Sequence, residues 1–198
     1  MSRSPEPPSD PKSLIAAGYQ ARRENRLSEA KTAFTQAVHH YRDTDPENPQ
    51  LAEALRGLGQ IERDLGDIPA ALQHHREAAD LYRTLQQPLA VAHTIRHIAD
   101  IQRENGDLTP AAAAHYDEAL LIYRDHPETK PLDMANTLRG YALFKAATAH
   151  PEAAIASWHE ARTFYEQAAT QTGLDMQPAF DEIDSQLARL SARESSQE

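Results

Sequence analysis

At 198 residues with a net charge of −10 and no cysteine, the chain has room for one domain or a short array of repeats. That balance excludes broad attraction to phosphate backbones or anionic lipid, and the missing thiols exclude disulfides, thiolate zinc sites and cysteine nucleophiles. Mean hydropathy is −0.68, no run approaches the roughly 18 apolar residues of a membrane span, and "MSRSPEPPSDPK" lacks the apolar core of a signal peptide, so the expected location is the cytoplasm.

Seven glycines and the absence of period-2 β-branched runs leave an Ala-, Leu-, Glu-, Gln- and Arg-rich chain that reads as all-α. Residues 1–11 are Pro/Ser-rich and expected to be a disordered tail. From there one pattern recurs. Tyr41, Tyr82, Tyr123 and Tyr165 end helical segments at spacings of 41, 41 and 42 residues, and eleven residues before each stands Ala30, Ala71, Ala112 or Ala154. Upstream, Leu14, Leu55, Ile95 and Leu138 align as apolar anchors, each followed four residues on by Gly18, Gly59, Ala99 or Ala142.

The first unit spans about 12–47 and the second about 51–86. The third covers about 91–126 and the fourth about 132–172. Each holds two amphipathic helices parted by a breaker: "NRLS", "LGDIP", "NGDLTP" and "AHP" in turn. Gly66 and Gly106 suit a left-handed helix end, Asp67 and Thr109 suit caps, and Pro69, Pro110 and Pro151 suit first turns. Such short connections make antiparallel pairs. Beyond Gly173, Phe180, Ile183, Leu187 and Leu190 line one face of a segment at 177–194, expected as a capping helix, with dimerisation through that stripe as the alternative. Residues 195–198 complete the chain as a second tail.

In "AEALRGLGQIERDLGDIPAALQHHREA", Leu55, Leu58, Gly59, Gly66, Asp67, Ala71 and Ala78 fill the signature positions of the tetratricopeptide repeat family, which the chain resembles over about residues 12–172. In the first unit Gly18, Ala30, Phe34 and Ala37 fill the same slots, and in the fourth Ala142 replaces the glycine and Trp158 the aromatic of the second helix. The length of the unit is similar to the 40–42-residue variety of kinesin light chains and bacterial repeat proteins. The resemblance implies an α-solenoid of four antiparallel helix pairs, a TPR superhelix with a C-terminal capping helix. It also implies a concave groove lined by the first helix of each pair.

Candidate chemistry is sparse. "HTIRHIADIQR" places His93 and His97 at i and i+4, a spacing that suits a zinc-binding helix, but Thr94 stands where a zincin carries its glutamate and no third ligand is signalled. His39, His40, His74 and His75 recur in second helices, where packing between helices accounts for them. No nucleophile-elbow, phosphate-loop or dinucleotide motif occurs, so no catalytic residue, metal or cofactor is assigned.

Arginine stands in register. Arg56, Arg96 and Arg139 each follow the apolar anchor; Arg63 and Arg103 lie seven residues further on, and Arg22 holds that place in the first unit. Residues i and i+7 share a helix face. With Tyr19, Gln60, His93, His97 and Asn136 beside them, these arginines form the candidate peptide-binding site, suited by their planar forks to carboxylate or phosphate. The competing account pairs them internally with Glu62, Asp64, Asp100 or Glu104. The expected function is a noncatalytic scaffold binding an acidic segment of another protein, without nucleic acid or membrane, as monomer or dimer. A regulatory sensor of a small anionic ligand or signalling peptide is the alternative, and a His-dependent metalloenzyme a third.

Overall fold

The computed structural model describes residues 10–194. The expected tails therefore lie outside the described residues, save that the first helix starts inside the first of them. Asp10 caps it by accepting from Ser13 N at 3.1 Å, and Pro11 opens it. Nine helices follow among the described residues: α1 (Pro11–Arg23), α2 (Leu27–Thr44), α3 (Pro49–Asp64), α4 (Ile68–Thr84), α5 (Pro88–Glu104), α6 (Pro110–Asp125), α7 (Pro131–Ala147), α8 (Pro151–Thr172) and α9 (Gln177–Glu194). They fall into two compact units, Met1–Thr94 and Ile95–Glu198, with the division inside α5.

Helix starts follow from capping chemistry. Asn48, Asp67 and Thr109 accept backbone N–H groups at the heads of α3, α4 and α6, and proline occupies the first turn of each, where its missing N–H costs nothing. Helix ends share one device. After each first helix the chain turns through a left-handed residue, at Asn25, Gly66, Gly106 and Ala149. The next N–H then reaches back five residues: Arg26 to Ala21 O, Asp67 to Glu62 O, Asp107 to Gln102 O and His150 to Lys145 O, at 2.8–2.9 Å. This closure satisfies carbonyls that would otherwise be orphaned at the helix end.

In the first unit α1 packs on α2, α2 on α3 and α3 on α4. The aligned small residues permit this. Phe34 is fully buried between Gly18 of α1 and Gly57 of α3, and a Cβ built at either glycine would press into its ring. Gly59 makes the same allowance for His75, which is 0% exposed and fills the aromatic slot of α4. His74 turns the other way and meets Glu62 at 2.6 Å, so the paired histidines link helices α3 and α4.

In the second unit Ala99, Ala112, Tyr116 and Phe144 form one buried cluster across α5, α6 and α7. Helix α7 packs on α8, whose Trp158 is fully buried, and α8 carries α9. Of the apolar stripe on α9, Ile183 and Leu190 are buried within the chain, whereas Phe180 and Leu187 are half-buried. Phe180 lies under the Arg162 guanidinium at 5.6 Å.

Candidate ligand-binding face

The first helices carry the arginines, and the packing of α1 beside α3 sets their geometry in the first unit. Arg22 donates from Nε to Asp64 at 2.7 Å, from Nη2 to the other Asp64 oxygen at 3.4 Å, and from Nη1 to Gln60 at 3.0 Å. Arg56 is different. Its Nη2 donates to the Tyr19 hydroxyl at 3.1 Å, Tyr82 of α4 forms a second hydrogen bond, and Nε is buried with no acceptor among the described residues. Burial alone would lower its pKa, but the Tyr19 and Tyr82 oxygens and the Glu53 charge outweigh it, so Arg56 is held firmly protonated. Tyr19 is fixed in turn by its edge-on contact with Phe34, ring centroids 5.0 Å apart. Tyr19, Arg22 and Asp64 also border an open cleft of about 510 Å³ at the end of α1. Arg63 and His93 are half-buried, on α3 and the first part of α5.

The second unit gathers Arg96 and Arg103 around one carboxylate. Asp100, 7% exposed, accepts from Arg96 Nη1 at 2.8 Å and from the Tyr116 hydroxyl at 2.7 Å, with Arg103 Nη2 at 4.0 Å. Arg103 also reaches the Tyr116 oxygen at 3.3 Å and Glu104 at 3.1 Å, while His97 Nε2 lies 3.1 Å from Arg96. Burial, with the Asp100 charge adding to it, pushes the Tyr116 phenol far above the ordinary tyrosine range. Gly140 leaves room for the cluster, because a Cβ there would stand 2.5 Å from Asp100 Oδ1 and 2.8 Å from the Tyr116 ring.

Next along the face, Arg139 holds Glu182 of α9 with two parallel bonds, Nε at 2.6 Å and Nη2 at 2.8 Å. Tyr165 donates to Asn136 at 2.8 Å, and its phenol is pushed up to about 12, chiefly by burial, with Glu182 adding and Arg139 opposing.

The structure thus brings Tyr19, Arg22, Arg56 and Gln60 together in one unit. In the other it gathers Arg96, His97 and Arg103 about Asp100 and sets Asn136 beside Tyr165, whose phenol feels both Arg139 and Arg96. Four arginines of the ladder carry carboxylate partners, with Asp64, Asp100 and Glu104 among those the internal account named. Sequence reasoning missed Tyr82, Tyr116, Tyr165 and Glu182. One signal was available for two of them, since Arg56 precedes Tyr82, and Arg139 precedes Tyr165, by the same 26 residues. Among the described residues no three His, Asp or Glu side chains gather as a metal site, and no helix is long and apolar enough to cross a membrane.

Comparison with known proteins agrees with this architecture. Residues 12–84 match the family described as "Tetratricopeptide repeat". The structure is similar to that of BtubC (BKLC) from P. vanneervenii, with a TM-score of 0.72 at 19% identity over 85% of this chain and 68% of that one. It is also similar to the nearly identical TPR-like repeats of a Podosopora anserina protein described as a kinesin light chain, with a TM-score of 0.60 at 16% identity over 94% and 98% of the two chains. No curated protein sequence matches the chain. The family's pattern thus lies on α1–α4, and the chain shares the tetratricopeptide-like helical-repeat fold of both solved structures.

Proposed function

We propose that this protein-interaction scaffold is noncatalytic and binds an acidic segment of a partner, carboxylate- or phosphate-bearing, on the faces of its first helices. One observation carries the reading. Arg56 is a largely desolvated cation whose described hydrogen bonds run to two neutral phenols, with Nε left buried and without an acceptor. A guanidinium in that setting gains more from an anion than an exposed one does, because water competes less for it. Tyr19, Arg22 and Gln60 stand around it to orient the ligand. Binding is therefore local and electrostatic within an acidic protein, and it weakens as salt rises.

The test is fluorescence anisotropy of a labelled glutamate-rich peptide at low salt. Wild type is expected to bind with Kd of about micromolar order, as transient peptide recognition commonly does. Arg56→Gln should weaken binding about tenfold, the loss of one charge-assisted hydrogen bond. Arg76→Gln, at an exposed position of α4, should leave it unchanged. Equal affinity in wild type and Arg56→Gln, with both helical by circular dichroism, would reject the reading.

A further inference from the structure

Two arginines of the ladder grip a carboxylate with the same edge of the guanidinium. Arg22 turns Nε and Nη2 to Asp64, and Arg139 turns Nε and Nη2 to Glu182. The carboxylates differ in where they come from. Asp64 ends a helix of the repeat itself, whereas Glu182 is supplied by α9, beyond the last pair. Arg139 also has the register of Arg56, with a tyrosine 26 residues on, but Asn136 stands one turn earlier where Arg56 has Glu53, and Tyr165 donates to that Asn136. The two sites therefore share a register, and at Arg139 the fork is already filled by a carboxylate.

The filling is reversible at the level of a side chain. Arg139 and Glu182 keep 39% and 29% of their side-chain surface exposed, so solvent and solutes reach the pair. Helix α9 is anchored by Ile183 at 0% exposure and Leu190 at 4%, not by Glu182. Rotation of Glu182 about its own bonds would free the arginine and leave α9 in place.

We infer that Arg139 is a second carboxylate-binding site and that Glu182 is its built-in occupant, a latch that an acidic partner segment must displace. The inference rests on the reading of the first-helix faces as anion-binding. A carboxylate tethered on the same chain acts at an effective concentration of about millimolar, which a dilute monovalent ligand cannot match. The site in the first unit is then open at rest and that in the second is closed.

Calorimetric titration with a hexaglutamate peptide tests this on the full chain. Wild type should bind one peptide. Glu182→Gln, which keeps the shape of the side chain and the Ile183 anchor, should bind a second one, and adding Arg139→Gln should abolish that gain. Glu182→Asp keeps the charge but shortens the reach, and should also let a second peptide bind. An unchanged stoichiometry and affinity in both Glu182 variants would overturn the latch, as would a gain that survives Arg139→Gln, since the effect would then be one of net charge. The outcome of Arg56→Gln separates the two readings. Loss of wild-type binding there with no gain from Glu182→Gln rejects the latch alone. Intact binding there, with a gain that depends on Arg139, rejects only the role given to Arg56.

Discussion

Arg56 and Gly57 are neighbours in sequence and face opposite demands. The arginine needs polar company, found in the hydroxyls of Tyr19 and Tyr82, while the glycine must leave space for the Phe34 ring. Replacing Gly57 with alanine would gain about 1 kcal/mol of helix propensity. The methyl group, however, would enter a ring that is 0% exposed and has Gly18 on its other side, at a cost of about 1–3 kcal/mol. Overpacking should win, and urea denaturation of Gly57→Ala is expected to show a net loss of up to about 2 kcal/mol; a gain would mean that the ring can move aside. The arginine register was legible because one residue type recurs at fixed offsets from an apolar anchor. The partners were not. Tyr19 lies 37 residues from Arg56 and Glu182 lies 43 from Arg139, and nothing local in the sequence fixes which of several acids or phenols folds onto each. Asp100 and Glu62 show the same limit, since charged residues at helical spacing look solvent-facing until a second helix covers them.

At the scale of the helix, the stops are more uniform than the residues that make them. Asn25, Gly66, Gly106 and Ala149 hold the same left-handed position after a first helix, yet only two are glycine. For alanine, with no side-chain hydrogen bond to compensate, that conformation costs about 1 kcal/mol or more. Ala149→Gly, at φ 57°, should therefore raise stability by about 0.5–1 kcal/mol once the added entropy of the unfolded chain is subtracted. Thermal unfolding of the variant measures it, and a melting temperature equal to or below wild type would contradict the strain. The same position explains why the middle breakers were plain in the sequence and the outer ones faint. Gly66 and Gly106 announce a helix end by residue type, whereas Asn25, which also tolerates that conformation, is a weaker signal and Ala149 is none. Likewise α8 extends to Thr172, since Gly173 is the first left-handed residue after its start.

Across the whole molecule, the burial-shifted tyrosines, three of which (Tyr41, Tyr82 and Tyr165) mark the repeat, make its stability sensitive to alkali. Six of the seven, at positions 19, 41, 82, 116, 141 and 165, have phenols pushed above the ordinary value of 10.0, with burial the leading cause in each. A phenol raised in the folded state is neutral there when its unfolded counterpart has begun to ionise. The stability it contributes is thus complete below pH 10 and is lost as the pH rises through its folded value. For Tyr165, held up to about 12, the loss amounts to roughly 2–3 kcal/mol over that interval, a sizeable share of the stability of an ordinary domain. Tyrosinate absorbance followed beside the far-ultraviolet helical signal should show little ionisation at pH 10.5 and a joint, cooperative change between about pH 11 and 12. Gradual ionisation centred near 10, with the helices intact, would show that the phenols are open to solvent and that the repeat's tyrosines do not seal its helix pairs.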